Sequence, residues 1–231
     1  MIASILEDIQ EGQIFKNSDN NPTHFFVINK FGFCQDFYSV FDEQFFETIK
    51  KLICERKYKK LRYYSPTEKM EEYITSLNFA QRSERIKFDF SSKPNEIKIS
   101  DEYKIERITM TNLKSIDFGL DFANRYWNNE QDFIDNAIGV AVFNNNKAFG
   151  CCYSAANGIN KAEIDIYVDD NYRNKGLGNA LGNAFIKECI NRNLSPSWDC
   201  YSNNLGSVNL AKKLGFKESF KYNFYNITGR L

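Results

Sequence analysis

The strongest constraint on the fold is the segment YRNKGLGN at residues 172–179, which lies between a predicted strand and a predicted helix. Such a junction leaves backbone N–H groups without acceptors at the positive end of the helix dipole. Two glycines one residue apart let an anion approach the backbone, and a neighbouring Arg and Lys add positive charge. The segment therefore predicts a phosphate-binding loop. A plain turn with a solvated basic pair is the alternative, since glycine-containing strand–helix turns are common.

The loop by itself does not identify its nucleotide. A dinucleotide-binding fingerprint fits less well, because three residues separate Gly178 from Gly182. The acidic residue expected about 20 positions further along that fingerprint is matched only loosely by Asp199. A Gly-Lys-Ser/Thr sequence, as in a P-loop, does not occur here.

Composition excludes several partner classes. Thirty basic and thirty acidic residues cancel, so no long-range field favours nucleic acid or an anionic membrane. No apolar stretch approaches the roughly 20 residues of a membrane span, and the first residues do not resemble a signal peptide. Six cysteines without C-x-x-C spacing and a single histidine, His24, argue against a metal site. We expect a cytoplasmic protein with reduced, mostly buried thiols and a structural His24.

Periodicity predicts a two-part α/β protein without an internal sequence repeat. The parts meet at the polar residues 91–96, which predicts a smaller α/β domain over residues 1–92 and a second domain over 93–231. Strands are predicted at residues 23–29, 31–38, 60–64, 84–90, 103–108, 139–143, 147–155, 161–169, 197–201 and from 216 onward, with helices at 42–53, 67–77, within 111–138, at 176–192 and at 205–214.

Two motifs in order carry a family resemblance. The sequence EIDIYV at 163–168 leads into the glycine loop, and further on Asn204 and Ser207 precede Leu214-Gly215-Phe216. Together they resemble the GNAT superfamily of N-acetyltransferases, and PSWDC at 196–200 is similar to the zwittermicin-resistance-type subfamily. The resemblance implies the GNAT fold with a mixed, largely antiparallel sheet. It also implies that the first domain is a degenerate GNAT-like domain with a substrate or interface role.

The same resemblance implies how acetyl-CoA binds. Backbone amides of the loop would hold the pyrophosphate, the edge of the strand would pair with the pantetheine arm, and the N–H near Tyr167 would face the thioester oxygen. Asn204 and Ser207 would lie beside the pantetheine, although capping of the last helix also explains them. The predicted cofactor-binding residues are Ile166, Tyr167, Val168, Arg173, Asn174, Lys175, Gly176, Leu177, Gly178, Asn179, Asn204 and Ser207.

Glu163 is the predicted catalytic base, with Asp165 as a second candidate on the same strand face. Acyl transfer to an amine requires a neutral amine, so a base must remove a proton. Glu163 precedes Arg173 by ten residues, where several GNAT enzymes place a glutamate, and the two carboxylates are about 7 Å apart along the strand. The alternative is that both residues form the polar face of a half-exposed strand.

One departure concerns the general acid. Many GNAT enzymes carry a tyrosine in the last helix where this chain has Ala211. Tyr201 and Tyr222 could replace it, but they are more simply explained as core or surface aromatic residues. Trp198 is likewise expected to be a core residue. Asp199 is a candidate to attract a cationic amine. Cys200 has no histidine base nearby, so direct transfer is preferred.

The predicted function is therefore direct acetyl transfer to an amine, a small metabolite or antibiotic if the subfamily holds. A CoA-binding module without catalysis is the alternative. The sequence leaves a homodimer open.

Overall fold

The structure, a computed structural model, describes residues 1–55, 60–92, 94, 98–119 and 121–228. The chain divides into two compact units. Unit 1 comprises Met1–Arg85 and Lys221–Leu231, and unit 2 comprises Ile86–Phe220. The domain boundary predicted between residues 92 and 93 falls next to a segment of which residues 93 and 95–97 lie outside the described ranges.

Unit 1 is a mixed sheet with helices, in the strand order β1-β2-β3-β4-β11-β5. Strands β1–β2, β2–β3 and β4–β11 pair antiparallel, whereas β3 and β4 pair parallel. Its elements are α1 (Ile2–Leu6), β1 (Gly12–Lys16), β2 (His24–Asn29), β3 (Phe33–Tyr38), α2 (Glu43–Cys54), β4 (Lys60–Tyr64), α3 (Glu68–Ser76), the first part of β5 (Ala80–Phe90) and the last part of β11 (Phe216–Thr228).

The core of unit 1 forms where α2 and α3 cover the sheet. Phe46, Ile49 and Ile53 recur at helical spacing on one face of α2 and are buried. Met70 and Ile74 do the same on α3, and both are fully buried. These side chains pack against the apolar residues of β2, β4 and the end of β11, which explains why the helical stripes predict core positions.

Unit 2 has the strand order β11-β5-β10-β9-β8-β7-β6. All its recorded pairings from β6 to β9 are antiparallel, and β9 pairs parallel with β10. Its elements are the second part of β5, β6 (Lys104–Arg107), α4 (Met110–Leu113), α5 (Phe122–Tyr126), α6 (Glu130–Asn136), β7 (Gly139–Asn144), β8 (Lys147–Gly158), β9 (Lys161–Val168), a 3₁₀ turn (Asp170–Tyr172), α7 (Leu177–Asn191), β10 (Ser195–Tyr201), α8 (Leu205–Lys213) and the first part of β11.

Helix α7 is the central element of unit 2. One side of it packs Leu177, Leu181 and Phe185 against the apolar face of β7, β8 and β9. Its other side contributes Ile186 to a second cluster, which α8, β5 and β10 complete. No helix within the described ranges is long and apolar enough to cross a membrane. The predicted mixed, largely antiparallel α/β fold is confirmed.

The two units repeat one topology, although no internal repeat stands out in the sequence. In each unit a three-stranded antiparallel meander is followed by a helix and a parallel strand: β1-β2-β3-α2-β4 in unit 1, and β7-β8-β9-α7-β10 in unit 2. Another helix and a long strand then follow, as α3-β5 and α8-β11. The repeat thus lies in the order of the elements, and the family resemblance, which implies a GNAT-like first domain, is the sequence argument that points toward it.

Most predicted elements are present, with differences at their limits. The β7–β8 turn falls at Asn145 and Asn146, both with positive φ, a backbone conformation that asparagine tolerates. The helical region predicted within 111–138 is three short helices, and β5 begins at Ala80, four residues earlier than expected. Elements α1 and β1 have no counterpart in the prediction, because residues 1–16 lack a clear apolar period.

His24 is fully buried in unit 1 inside a group of aromatic rings. Its ring lies 5.0 Å from those of Tyr38 and Phe45, and 5.6 Å from that of Phe41. Its Nδ1 accepts a hydrogen bond from the backbone N–H of Asp42 at 3.4 Å, while Nε2 has no hydrogen-bond partner among the described residues. Burial lowers the pKa of His24, and the nearby Asp36 and Asp42 only partly oppose this effect.

This burial predicts that acid destabilises unit 1 through His24. A folded-state pKa below the ordinary value of about 6.5 means that the unfolded chain binds a proton first. The stabilisation is therefore complete above about pH 6.5 and declines as pH falls toward the folded-state pKa, by at most about 1.4 kcal/mol per pH unit. Urea unfolding followed by far-UV circular dichroism at several pH values between 5.5 and 7.5 measures this slope.

The chain has one histidine, so the variant His24→Phe provides the control. It should show a nearly flat unfolding free energy over the same pH range, whatever its absolute stability. An equal slope in the wild type and the variant would contradict the assignment, as would an imidazole NMR titration with a midpoint above 6.5.

Candidate active site

Strands β9 and β10 separate after three residue pairs, and this opening forms the centre of the candidate site. The pairs are Lys161 with Ser195, Ala162 with Pro196, and Glu163 with Ser197. Beyond Glu163 the pairing ends, in a stretch that the structure describes throughout, while β9 stays paired with β8 as far as Val168. Alternate N–H and C=O groups of 164–168 therefore point into the gap between β9 and β10. They form an open strand edge for an amide-containing ligand.

The predicted phosphate loop lies at the far end of this open edge. After the 3₁₀ turn, Asn174 and Gly176 both have positive φ, 62° and 80°, and Gly176 is the N-cap of α7. Because Gly176 has no side-chain oxygen, no side chain caps the first turn of α7. The first N–H groups of this 15-residue helix thus remain available to an anion.

The two cations of the loop are held beside it. Arg173 forms an ion pair with Asp170 at 2.5 Å, and its Nε donates to the Val168 carbonyl at 3.4 Å. Lys175 Nζ lies 4.6 Å from the centre of the Tyr172 ring. Charge, free helix N–H groups and a glycine cap meet at one point, so these residues suit a pyrophosphate.

The remaining loop residues serve the helix. Leu177 is buried in the core of unit 2. Asn179 is also buried, and the side-chain amide of Asn183 donates to its carbonyl and to its Oδ1. On the strand, Ile166 and Val168 pack toward α7, which leaves their backbone groups at the edge. Tyr167 points to the opposite face and contacts Phe118, with ring centres 4.8 Å apart.

Glu163 and Asp165 share that opposite face of β9, as predicted, and each has a cation nearby. Lys87 of β5 lies 4.0 Å from Glu163, and Arg125 at the end of α5 lies 3.8 Å from Asp165. Asp165 also accepts a hydrogen bond from the hydroxyl of Tyr153 at 2.9 Å. Burial, followed by the charge of Asp165, raises the pKa of Tyr153 well above its ordinary value, so the hydroxyl stays protonated.

Asn204 and Ser207 are capping residues in this structure. The side chain of Asn204 caps α8 by accepting from the Ser207 N–H at 3.1 Å. The Ser207 hydroxyl accepts from the indole N–H of Trp198 at 3.1 Å, and Trp198 is buried in the core. The structure thus contains the capping interaction that was the alternative explanation for these two residues. A role beside the pantetheine stays a prediction.

Several other side chains can be assigned from burial. Ala211, at the position of the usual tyrosine, is fully buried in the core cluster and carries no group that could donate a proton. Cys200 is buried, and burial raises the pKa of Cys151 and of Cys152. Among the described residues, no group of three His, Cys, Asp or Glu side chains has the arrangement of a metal site.

Sequence reasoning missed three polar partners of the carboxylates, namely Lys87, Arg125 and Tyr153. The β8–β9 hairpin does not reveal Tyr153 either, because counting back from its turn places Ser154 opposite Asp165. The bulge between Ser154 and Ala156 brings Tyr153 there instead. Arg125 and Lys87 come from distant segments with no periodic link to β9.

Comparison with known proteins identifies the family. The family model of the GNAT acetyltransferases matches residues 1–225. This chain belongs to the GNAT acetyltransferase family. It is 27% identical over 237 aligned positions to the uncharacterized N-acetyltransferase YdfB of Bacillus subtilis strain 168, covering 97% of this chain and 88% of YdfB.

Solved GNAT structures share the fold. A GCN5-related N-acetyltransferase-like protein from Streptococcus suis superposes with a TM-score of 0.74 at 18% identity, over 94% of this chain and 88% of that one. A tandem GNAT protein from the clavulanic acid biosynthesis pathway superposes with a TM-score of 0.60 at 10% identity, over 95% and 84%. At these identities the likeness supports the fold alone. Family membership makes this GNAT protein an acetyltransferase.

The geometry predicts that Gly150 keeps the open edge of β9 in place. A Cβ on Gly150 would lie 2.7 Å from the Tyr167 carbonyl oxygen and 3.1 Å from Leu181 of α7. Gly150→Ala must therefore displace the backbone of β9 or α7, and we expect a loss of about 1–3 kcal/mol in unfolding free energy. Urea unfolding measures it.

Gly206→Ala in α8 is the matched control. The nearest atom to its Cβ, Asn204 Oδ1, is at an ordinary 3.7 Å, so this variant should be neutral or stabilised by up to about 1 kcal/mol. Equal stability of the Gly150 variant and the wild type would contradict the close approach.

Proposed function

We propose that this GNAT protein transfers the acetyl group of acetyl-CoA directly to the amine of a small metabolite or antibiotic. The observation that carries the proposal is the open edge of β9 leading into the glycine-capped N-terminus of α7. An extended amide chain ending in a pyrophosphate, as in CoA, fits an open strand edge followed by an anion site. The antibiotic alternative for the acceptor rests on the resemblance to the zwittermicin-resistance-type enzymes.

In the proposed reaction, acetyl-CoA supplies a thioester whose carbonyl carbon is attacked by the neutral amine. An N–H of β9 near Tyr167 would donate to the thioester oxygen as negative charge develops. Glu163 accepts the proton that the amine loses. The C–N bond forms, the C–S bond breaks, and CoA leaves as a thiolate of pKa about 8.5 that takes up a proton. Because the position of the usual tyrosine is Ala211, which has no proton to donate, no acid is assigned to this last step.

Direct transfer agrees with the state of the cysteines near the site. A covalent acetyl-cysteine intermediate requires a thiolate, and burial raises the pKa of the β8 thiols. The single histidine, His24, belongs to unit 1 and is buried there. Cytoplasmic location and a homodimer remain parts of the proposal, and the six cysteines, none of which forms a disulfide in the described part of the chain, agree with a reducing compartment.

For unit 1 we propose a degenerate GNAT-like module that binds no CoA. Its parallel strands β3 and β4 also separate, after Cys34 and Tyr63. The buried carboxylate of Asp36 closes that gap, because it accepts from the Tyr63 hydroxyl at 2.8 Å and from the Thr67 N–H at 3.2 Å. A substrate or interface role for unit 1 is compatible with this closure.

A second carboxylate occupies the helix end in unit 1. Asp42, where unit 2 has Gly176, caps α2 by accepting from the Phe45 N–H at 2.9 Å. That bond and one from Asn17 lower the pKa of Asp42. A negative charge at the helix N-terminus repels a phosphate, so the loop of unit 1 disfavours CoA.

Calorimetric titration with acetyl-CoA tests the cofactor site and the assignment of the two units together. We expect selective micromolar binding over NAD and ATP, at one molecule per chain. Gly176→Glu should abolish it, because the side chain puts a charge and bulk at the helix end. No binding by a folded sample would remove the cofactor argument, and two molecules per chain would contradict the closure of unit 1.

The role of Glu163 is tested by turnover with a panel of amines. Glu163→Gln removes the proton acceptor and should lower kcat by about 10²–10⁴-fold. Glu188→Gln is a matched control, since Glu188 forms a similar ion pair with Arg107, 3.9 Å away. A decrease below threefold would refute the assignment, and binding without turnover on any amine would indicate a CoA-binding module.

A further inference from the structure

Arg125 contributes a cation to the face of β9 that carries Glu163 and Asp165, which we call the proposed acceptor face. Its guanidinium lies 3.8 Å from Asp165 and 5.0 Å from the centre of the Tyr126 ring. Partial burial acts to lower the pKa of Arg125, but Tyr126, Asp165 and Tyr153 outweigh burial and raise it. A carboxylate beside an aromatic ring is a combination that binds organic cations. The chain thus supplies its own cation to this position.

A buried tyrosine fixes the position of the Asp165 carboxylate. Tyr153 is almost fully buried, and its hydroxyl donates to Asp165 at 2.9 Å. The ring of Tyr153 packs against Tyr126 and Phe133, with centres 6.3 and 6.0 Å apart. Next to Arg125, the buried Trp127 anchors the end of α5 by donating to the Ser154 carbonyl at 2.9 Å. Buried side chains therefore position both members of the pair: Tyr153 positions Asp165, and Trp127 positions the end of α5 that carries Arg125.

The contact between Arg125 and Asp165 is nevertheless weak enough to be exchanged. At 3.8 Å, with side-chain exposures of 50% and 32%, it is a partly exposed ion pair of the kind that contributes little. Glu163, two residues earlier on β9, has a similar relation to Lys87 at 4.0 Å. The acceptor face thus carries two carboxylates about 7 Å apart, each next to a displaceable cation of the chain.

We propose that the acceptor is a diamine or a longer polyamine, whose reacting nitrogen lies at Glu163 and whose second, protonated nitrogen replaces Arg125 at Asp165. This inference rests on the proposed function. It makes Asp165 an anchor for the substrate and Arg125 a specificity-determining residue that competes with the substrate for that anchor. The spacing of the carboxylates favours a short diamine.

An acceptor with a carboxylate that binds Arg125 is the opposite arrangement. The charges do not favour it, because the face of β9 and β10 opposite α7 carries Glu163, Asp165 and Asp199 against Lys161, with Lys87 and Arg125 beside it. This face therefore offers a carboxylate no excess of positive charge. An acidic acceptor would also have to separate Arg125 from Asp165 and leave that carboxylate without its counterion.

The experiment compares three acceptors of similar length with acetyl-CoA: 1,4-diaminobutane, butylamine and 4-aminobutanoate. We expect a kcat/KM for the diamine roughly tenfold or more above that for butylamine, as for a hydrogen bond between charged groups, and the lowest value for 4-aminobutanoate. Asp165→Asn should abolish the preference for the diamine. Arg125→Met should lower the KM for the diamine by about twofold to fivefold and raise the preference for the diamine over butylamine by a similar factor.

Arg107→Met is the matched control, because Arg107 lies at a similar distance, 3.9 Å, from Glu188 and is similarly exposed. It should leave all three acceptors unchanged. Equal use of butylamine and the diamine, or a preference for 4-aminobutanoate that Arg125→Met removes, would overturn the inference while leaving acetyl transfer intact.

If no amine is acetylated by a protein that binds acetyl-CoA, the proposed function fails separately. Calorimetric binding of 1,4-diaminobutane then decides the inference without turnover. Binding that is lost in Asp165→Asn and strengthened in Arg125→Met supports it, and absence of binding to the wild type refutes it.

Discussion

The separation of β9 from β10 after Glu163 is the constraint on which the candidate site depends. Three parallel pairs join the strands at one end, and β8 alone holds the rest of β9. A strand that keeps one neighbour and loses the other exposes backbone groups that require partners. Helix α7 covers the apolar side chains of this segment without satisfying its backbone edge. The structure therefore combines a stable strand with an edge available to a ligand.

In unit 1 the same topology gives a closed gap between the parallel strands instead of an open one, and two carboxylates account for the difference. Asp36 takes hydrogen bonds from Tyr63 and Thr67 across the gap between β3 and β4, and Asp42 caps α2. A buried carboxylate is tolerated only when hydrogen bonds satisfy it, so Asp36 ties the two sides of the gap together. In unit 2 the corresponding helix begins at a glycine, which provides no acceptor of its own. Whether the gap between the two parallel strands of a unit is closed or open thus depends on very few side chains, which in unit 1 are Asp36 and Asp42.

Features that are local in the sequence were predictable. The glycine loop, the start of α7, the Asn turn after β7 and the capping role of Asn204 each depend on a few consecutive residues. The long-range partners of the carboxylates were not predictable, because Arg125, Lys87 and Asp165 come from three separate segments of the chain. The bulge in β8 between Ser154 and Ala156 also shifts the register near Tyr153, and no residue pattern announces it. Short exposed elements such as β1 carry too little apolar periodicity to be recognised.

The sequence ranks Glu163 ahead of Asp165 as the base only through the family resemblance, whereas the structure gives the two carboxylates different surroundings. Asp165 has one oxygen committed to the rigid hydroxyl of Tyr153, which fixes its orientation and occupies an acceptor position. A group held in this way is suited to binding a cation at a defined place. Glu163 lies at the last residue of β9 that still pairs with β10, so it stands where the gap opens. A base must reach the reacting nitrogen rather than hold the far end of the substrate. The proposed division, with Asp165 as anchor and Glu163 as base, is therefore based on where β10 leaves β9.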